Sequence, residues 1–313
     1  MDIKGVVTTP PMPLPPQEVK VVNAVNVSVV LTPKEIYDKL VAAGVGKTTM
    51  RLDKQIAAGV LAGLYIGFGF TTCMLVGGQV PKLAADYPGL QVFLFAGFGF
   101  PLGLTLILLG GADLFTGNCN YMVLAWIEGR CTVLHIVRCL TISYFSNLCG
   151  CLWMGKMMVY ADIFNGTKKN FPISAAQKKC SYTFGRCCAK AIMANWLVNL
   201  AVWLAVSAND FNSKYLGVWL PISSFIALGL EHCIANQFLV PMTIMLGSGM
   251  TTAHFIRKNL VPATIGNFIG GAGFVGVIHS FVLSDSFDKL YGLFTGAWNR
   301  ISGKKSEDGA SSA

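Results

Sequence analysis

Hydrophobic residues fill six long segments of this chain, and polar residues gather in the short stretches between them. The segments cover residues 55–77, 92–126, 132–160, 187–208, 217–250 and 262–283. Each is long enough for a helix of about 20 residues that crosses a lipid bilayer. The pattern therefore predicts an all-α membrane protein with six spans. Composition agrees, because 53% of the residues are apolar, 12% are charged and the mean hydropathy is +0.57.

Two of these segments contain a similar polar motif. Asp-Leu-Phe-Thr-Gly-Asn at 113–118 and Glu-His-Cys-Ile-Ala-Asn at 231–236 each place an acid and, five residues later, an asparagine inside an apolar run. Hydrocarbon normally excludes both residue types. Each motif therefore predicts that its helix, the second or the fifth, is broken in mid-membrane.

The surroundings of the two motifs also repeat. Residues 54–59 resemble residues 190–195, and a histidine, an arginine and an asparagine recur in nearly the same register, as His135, Arg138 and Asn147 and then as His254, Arg257 and Asn267. The chain is therefore predicted to contain two three-helix repeats, residues 46–160 and 184–283. Since each repeat has an odd number of spans, the second lies upside down relative to the first.

The two ends of the chain are expected to lie outside the membrane domain of residues 46–283. Residues 1–45 include a proline-rich stretch and are predicted to form a disordered tail. Residues 284–313 are predicted to form an interfacial segment and a cytoplasmic tail. Large apolar side chains in this segment recur at the spacing of a short surface helix: Phe287, Leu290, Tyr291, Phe294 and Trp298.

A helix broken in mid-membrane leaves backbone groups unpaired, and these are tolerated only inside protein or beside a water-filled cavity. The two breaks therefore mark a pathway through the protomer. Asp113 and Glu231 are expected to cap freed backbone N–H groups, and Asn118 and Asn236 to satisfy donors or acceptors nearby. All four residues are assigned a structural role at the breaks.

His232 lies beside the second break. Histidine can change its charge near neutral pH, and an ionisable residue inside a membrane segment indicates a functional site. His135 and His254 lie at matching helix starts near the interface and are interpreted as structural. The ten cysteines are scattered, and no paired cysteine or histidine motif indicates a metal site. No metal or other cofactor is expected.

Three stretches of the sequence resemble the signature motifs of the formate–nitrite transporters: residues 111–118, 194–201 and 231–236. The resemblance covers about residues 45–283 and is closest to the protozoan branch that moves lactate or formate with protons. It implies an aquaporin-like protomer of six helices and a homopentamer with one pore in each protomer. A small-residue stripe permits the close helix contacts of such an assembly, although similar stripes also pack helices within a protomer: Gly59, Gly63 and Gly67.

The resemblance also implies roles for individual residues. His232 corresponds to the central pore histidine, Thr116 to a loop threonine that faces it, and Asn195 to a polar neighbour. The positions that line two hydrophobic constrictions are occupied here by Phe100, Leu104, Ile107 and Leu114. The lysines that draw anions toward the pore from opposite sides correspond to Lys47 and Lys179.

Solvation energies favour proton-coupled transport over passage of a bare anion. Moving a carboxylate through rings of apolar side chains costs tens of kcal/mol in the Born limit and stays unfavourable after relaxation. Protonating an acid with a pKa near 4 costs roughly 4 kcal/mol at pH 7, since each pH unit is worth about 1.4 kcal/mol. The expected function is therefore transport of small monocarboxylates, such as L-lactate and formate, with a proton.

The alternative function is an anion or neutral-solute channel without proton coupling, for nitrite, formate or an aquaporin-type solute. An aquaporin-type channel would need paired Asn-Pro-Ala motifs, and here Asn118 and Asn236 are followed by Cys and Gln. An enzyme is not expected, because the chain has no nucleophile motif or metal-ligand set. The expected partners are the substrate, the proton, the bilayer and further copies of the chain, with no nucleic acid. The expected location is the plasma membrane, with both termini in the cytoplasm.

Overall fold

The computed structural model describes residues 30–287, and almost all of this range is helical. The α-helices, in chain order, are α1 Pro33–Thr48, α2 Leu52–Gly78, α3 Pro81–Asp86, α4 Pro88–Gly97, α5 Phe100–Leu109, α6 Phe115–Ile127, α7 Val133–Tyr160, α8 Asn170–Lys179, α9 Phe184–Ser207, α10 Phe211–Ala227, α11 Cys233–Met245, α12 Thr252–Phe255, α13 Val261–Phe268 and α14 Ile278–Leu283. A 3₁₀ turn covers Gly166–Lys169, and two π-helical segments cover Ile256–Leu260 and Ile269–Val277.

Within residues 30–287, five helical stretches are long and apolar enough to cross a membrane: Leu52–Gly78, Pro88–Leu109, Val133–Tyr160, Phe184–Ser207 and Thr252–Leu283. The fifth segment predicted from sequence consists of α10 and α11, whose 17 and 13 residues are separated by a break. Each apolar segment of the sequence is thus helical, and the all-α membrane fold is confirmed.

Helix α2 packs along α7 through its glycines. Gly59, Gly63 and Gly67 all face α7, and a Cβ atom at Gly63 would collide with the carbonyl oxygen of Asn147. The missing side chains let the two backbones approach closely. The stripe therefore packs helices within one protomer and gives no support to an interface between protomers.

The second predicted segment is divided at two places. α4 and α5 meet at Gly99, whose φ of −146° and ψ of −80° are not helical. A Cβ atom there would lie 2.6 Å from the backbone of Cys73, so only glycine fits this kink. Residues 110–114 then separate α5 from α6, which is the break predicted in the second helix.

Between equivalent positions, the last segment contains one more residue than α7, its counterpart in the first repeat. A π-helical turn accommodates the extra residue. His135 and His254 lie 119 residues apart, whereas Asn147 and Asn267 lie 120 residues apart. The π-helical segment Ile256–Leu260 falls between the two positions. A π turn adds one residue to a helical turn, so the two asparagines keep equivalent places.

The alignment of α2 with α9 that the sequence similarity suggests is wrong by about one helical turn. Sequence similarity pairs residues 54–59 with 190–195. In the structure, however, Asn147 binds the carbonyl oxygen of Gly59, and its counterpart Asn267 binds that of Ala191. Gly59 is therefore equivalent to Ala191, 132 residues later. A slip of four residues keeps nearly the same helix face toward the neighbours, because a turn holds 3.6 residues.

The expectation that residues 1–45 are disordered is wrong for residues 33–45, which belong to helix α1. Thr32 Oγ1 accepts a hydrogen bond from the Glu35 N–H, and the Glu35 carboxylate accepts one from the Thr32 N–H, which together form a capping box. Tyr37 is fully buried against the rest of the protein. The rest of that predicted tail, and the interfacial helix from Leu290 onward, lie outside the described residues.

Candidate transport pathway

Two five-residue breaks interrupt the helices at equivalent points of the repeats. Residues 110–114 lie between α5 and α6, and residues 228–232 lie between α10 and α11. Gly111 and Gly229, 118 residues apart, have φ angles of +70° and +61°. Only glycine adopts this left-handed backbone readily. The chain therefore makes the same turn twice, and each turn carries buried polar residues.

A buried asparagine holds each break in place. The Asn147 amide donates to the carbonyl oxygens of Gly59 and Asp113 at 2.8 and 2.9 Å, and its Oδ1 accepts from the Phe115 N–H at 2.9 Å. Asn267 makes the same three bonds in the second repeat, with the carbonyl oxygens of Ala191 and Glu231 and the N–H of Cys233. The sequence identifies the two asparagines as a repeated pair without indicating this role.

Asp113 and Glu231 do not cap the helices, so that prediction is wrong. Since the two asparagines already bind the first N–H groups of α6 and α11, the carboxylates bind side chains instead. Lys47 Nζ forms an ion pair with Asp113, and Lys179 Nζ lies 3.1 Å from Glu231 Oε1. The carboxylates are 2% and 0% exposed and both lysines are 17% exposed. A buried carboxylate needs such a partner, because an unpaired buried charge is strongly destabilising.

Amide side chains complete the hydrogen bonding of both carboxylates. Asn118 Nδ2 donates to Asp113 at 3.0 Å, and Asn236 Nδ2 donates to Glu231 at 2.8 Å, so both asparagines lie beside the breaks. A second amide lies beside each acid, namely Gln55 Nε2 at 3.4 Å and Asn259 Nδ2 at 3.0 Å. Sequence reasoning missed these two residues, because neither belongs to a polar motif.

The two repeats supply this second amide from different helices. In the first repeat Gln55 of α2 carries the amide, and Cys139 of α7 lies beside it, with 3.4 Å between Nε2 and Sγ. In the second repeat Asn259 of the last segment carries the amide, and Cys187 of α9 lies 3.8 Å away. Gln55 and Cys187 are separated by the 132 residues that relate α2 to α9. The amide and the thiol have therefore exchanged places between the repeats.

His232 is the N-cap residue of α11. Its Nδ1 accepts a hydrogen bond from the Ala235 N–H at 3.1 Å, so a neutral ring carries its proton on Nε2. Nε2 lies 3.0 Å from Thr116 Oγ1, which is the contact expected across the pathway. The side chain is 1% exposed. Both ring nitrogens therefore have partners within the protein.

Asn195 positions Thr116 and binds main chain rather than the histidine ring. Its Nδ2 donates to the carbonyl oxygen of Thr116 at 3.1 Å and to that of Asn267 at 2.6 Å. Asn199, one turn further along α9, donates to the same Thr116 carbonyl at 3.3 Å. The threonine that faces His232 is therefore held by two amides of the second repeat.

Apolar side chains enclose the imidazole. The rings of Phe100 and Phe225 lie 6.3 and 6.1 Å from it and 5.5 Å from each other, measured between centroids. All four predicted constriction residues are buried: Phe100, Leu104, Ile107 and Leu114. Sequence reasoning missed Phe225, although the 118-residue offset between the motifs maps Ile107 onto it. That equivalence is visible in the backbone, because both residues accept a hydrogen bond from the N–H five positions later.

Two cavities open at opposite ends of α9. The larger has a volume of about 340 Å³, reaches His232 and is lined by Tyr182, just before α9 begins. The smaller has a volume of about 170 Å³ and is lined by Ala205 and Val206, near the end of α9. Helix α9 has 24 residues and is about 36 Å long. The cavities therefore face opposite sides of the membrane.

Known proteins with this sequence pattern and helix arrangement are transporters and channels. The sequence model described as formate/nitrite transporter matches residues 34–281. A probable formate transporter of Methanothermobacter thermautotrophicus is 36% identical over 245 residues, which cover 73% of this chain and 88% of the relative. A formate-nitrite transporter of Plasmodium knowlesi is 30% identical over 263 residues, covering 80% and 83%. A solved structure described as a pentameric formate channel with formate bound is 30% identical, has a TM-score of 0.65, and is matched over 74% of this chain and 97% of its own.

Proposed function

Because the chain belongs to the formate/nitrite transporter family, we propose that it carries small monocarboxylates, such as L-lactate and formate, across the membrane together with protons. The protein is a multi-pass membrane transporter and not an enzyme. In this proposal each cavity collects the anion, and the neutral acid crosses the apolar zone around His232.

One observation carries the proposal, namely a hydrogen-bonded imidazole inside an aromatic constriction. Protonation of His232 Nδ1 would turn an acceptor into a second donor facing the Ala235 N–H, so the geometry favours the neutral ring. Lys47 and Lys179 are already paired with carboxylates. A bare carboxylate would therefore lose its water at the constriction without gaining a free cation there. Protonation, at roughly 4 kcal/mol near pH 7, is the smaller penalty.

The proton in this scheme comes through the cavities and not from the histidine. A neutral imidazole whose proton is on Nε2 is a hydrogen-bond donor and a very weak acid. Its role is then to orient the carboxyl group, together with the hydroxyl of Thr116. Lys179 lines the larger cavity, and Lys47 lies over the ring of Tyr121, which lines the smaller one. In this proposal both lysines stabilise the anion before it is protonated.

Flux measurements in reconstituted vesicles test the function. An inward gradient of lactate or formate should acidify the vesicle lumen, and a protonophore should abolish that pH change. Uptake that follows membrane voltage and ignores the pH gradient would contradict proton coupling. It would favour the second candidate, an anion channel. That candidate is supported by the 30% identical structure that is described as a formate channel.

Two substitutions test the role assigned to the histidine. His232→Asn keeps a hydrogen-bonding side chain that cannot carry a proton, whereas His232→Phe removes both properties. We expect proton-coupled flux to be largely retained by the asparagine variant and lost by the phenylalanine variant. Loss in both variants would make the imidazole itself the proton carrier, and full activity of the phenylalanine variant would contradict any role for the ring.

We also propose that the protein forms a homopentamer and resides in the plasma membrane. A homopentamer with one pore in each protomer is supported by the solved relative, which is described as pentameric. Mass measurement of the detergent-solubilised protein should give five copies, and a stable monomer with full activity would contradict the pentamer. Placement in the plasma membrane with both termini cytoplasmic can be checked by the accessibility of terminal tags in intact cells.

A further inference from the structure

The lysines expected to attract anions are each neutralised by a buried acid. Lys47 is paired with Asp113, and Lys179 is paired with Glu231. Seen from outside the protein, an ammonium and a carboxylate in contact act as a dipole, whose field falls off faster than that of a single charge. Long-range attraction of an anion therefore needs a lysine that has no acidic partner.

The larger cavity contains one such lysine. Its charged lining residues are Lys178, Lys179 and Glu231. The last two form the ion pair, so the surplus positive charge belongs to Lys178. Its side chain is exposed, and no carboxylate in residues 30–287 pairs with it. The wall around this charge includes the aromatic side chains of Phe95, Phe171 and Tyr182.

The smaller cavity also contains a lysine without an acidic partner, and a different helix supplies it. Lys214, in the first turn of α10, is its only charged lining residue in the described part of the chain. The side chain is half-buried. Asp210, four residues earlier, uses its carboxylate to accept a hydrogen bond from the Ser213 N–H as the N-cap of α10. No carboxylate of residues 30–287 forms an ion pair with Lys214, so its charge is the surplus positive charge of a cavity of otherwise neutral side chains.

The two free lysines do not belong to the repeated pattern. Lys47 and Lys179 are 132 residues apart and precede the first helix of each repeat. Lys178, in contrast, is the penultimate residue of α8, and Lys214 lies in the first turn of α10. Each cavity nevertheless has the same surplus of one positive charge. A positive charge in a low-dielectric cleft raises the local concentration of anions and their rate of entry.

We propose that Lys214 and Lys178 are the residues that capture the carboxylate anion, one at each entrance, and pass it inward to the paired lysines. This inference rests on the proposed function, since it assigns the first binding contact of the same substrates. The ligand is a small carboxylate anion, which a single ammonium group in the wall of a cavity attracts without selecting for shape.

Sided uptake measurements test the assignment. Sealed vesicles of each orientation receive formate outside at low and at high ionic strength, and initial rates give the apparent KM. Lys214→Gln should raise the apparent KM about fivefold at low salt in one orientation only, and Lys178→Gln should do so in the other. The differences should shrink at high salt, because exposed charges are screened over about 10 Å at 0.1 M. Lys214→Arg and Lys178→Arg, which keep the charge, should behave like the wild type.

Two lysines outside the cavities provide matched controls. Lys39 is exposed on α1, and the Leu31 N–H just before that helix bonds the Ser207 carbonyl at the end of α9, where the smaller cavity opens. Lys169 is exposed at the end of the 3₁₀ turn that precedes α8, the helix that carries Lys178. Lys39→Gln and Lys169→Gln should leave the apparent KM unchanged in both orientations.

Three results would overturn the assignment while leaving the proposed function intact, provided that the wild type carries formate. The first is an unchanged KM in both cavity variants, the second is an equal shift in the control variants, and the third is an arginine variant that fails like the glutamine variant. A wild type that carries no carboxylate in either orientation would refute the proposed function itself.

Discussion

Replacing Asn147 by alanine tests whether side-chain hydrogen bonds hold the helix breaks. The change leaves the Asp113 carbonyl and the Phe115 N–H without their partner, because Asn147 binds both. The Gly59 carbonyl keeps a partner, since it lies inside α2 and accepts a helical hydrogen bond. Each buried group left unpaired costs about 1–3 kcal/mol, so we expect a loss of about 2–6 kcal/mol.

Asn120→Ala is the matched control for this substitution. Both asparagines are fully buried. Neither side-chain atom of Asn120, however, has a hydrogen-bond partner among the residues that the structure describes. Because the two substitutions remove the same atoms, they differ mainly in the hydrogen bonds lost. We expect Asn120→Ala to change the free energy of unfolding by about 1 kcal/mol or less.

Thermal unfolding of the detergent-solubilised protein, followed by tryptophan fluorescence, measures the difference. For a chain of this size 1 kcal/mol corresponds to about 2–4 °C, so the Asn147 variant should melt at least about 4 °C below the wild type. Asn267→Ala, which breaks the same three bonds in the second repeat, should melt lower by a similar amount. Equal losses in the Asn147 and Asn120 variants would refute the reasoning, because the cost would then come from the cavity alone.

Three further predictions follow from packing and hydrogen bonding. Gln55→Cys should lower uptake severalfold. Adding Cys139→Asn should restore it, because α7 then supplies the amide, as the last segment does in the second repeat. Failure of this rescue would contradict the exchange of amide and thiol between the repeats. Gly63→Ala should destabilise the protein by about 1–3 kcal/mol in the same melting assay, because its Cβ atom would overlap the main chain of α7, whereas Gly46→Ala, with nothing within 4 Å, should not. Phe225→Ala should increase uptake of larger monocarboxylates relative to formate, and unchanged size selectivity would remove this residue from the constriction.

Local sequence patterns are sufficient to predict the spans and the two breaks. Acids are rare in apolar segments, so Asp113 and Glu231 stand out, and their common spacing to an asparagine identifies the repeat. The capping box of α1 is also present in the sequence, as Thr32 followed by Glu35. This pair is a signal for a helix start, whereas the proline-rich composition before it favours disorder. The burial of Phe225 could have been predicted by applying the motif offset to Ile107.

Local patterns do not predict ion pairs between residues that lie far apart in the sequence. Lys47 lies 66 residues from Asp113, and Lys179 lies 52 residues from Glu231. A capping rule considers only neighbours along the chain, so it assigns both carboxylates to the nearest free N–H groups. Those groups are instead bound by Asn147, which approaches from another helix, and by its counterpart in the second repeat. The position of another helix in the folded protein therefore determines which partner each acid binds.

The pathway depends on residues that differ between the two repeats. The 118-residue offset maps His232 onto Leu114 and Thr116 onto Ile234, so each repeat contributes one polar member of the central contact and one apolar counterpart. Neither repeat alone could build the pair of hydrogen-bonding groups that lies 3.0 Å apart across the pathway. The repeated asparagines, acids and lysines form the scaffold on both sides. His232, placed by that scaffold against a threonine from the other repeat, gives the symmetric fold an asymmetric site.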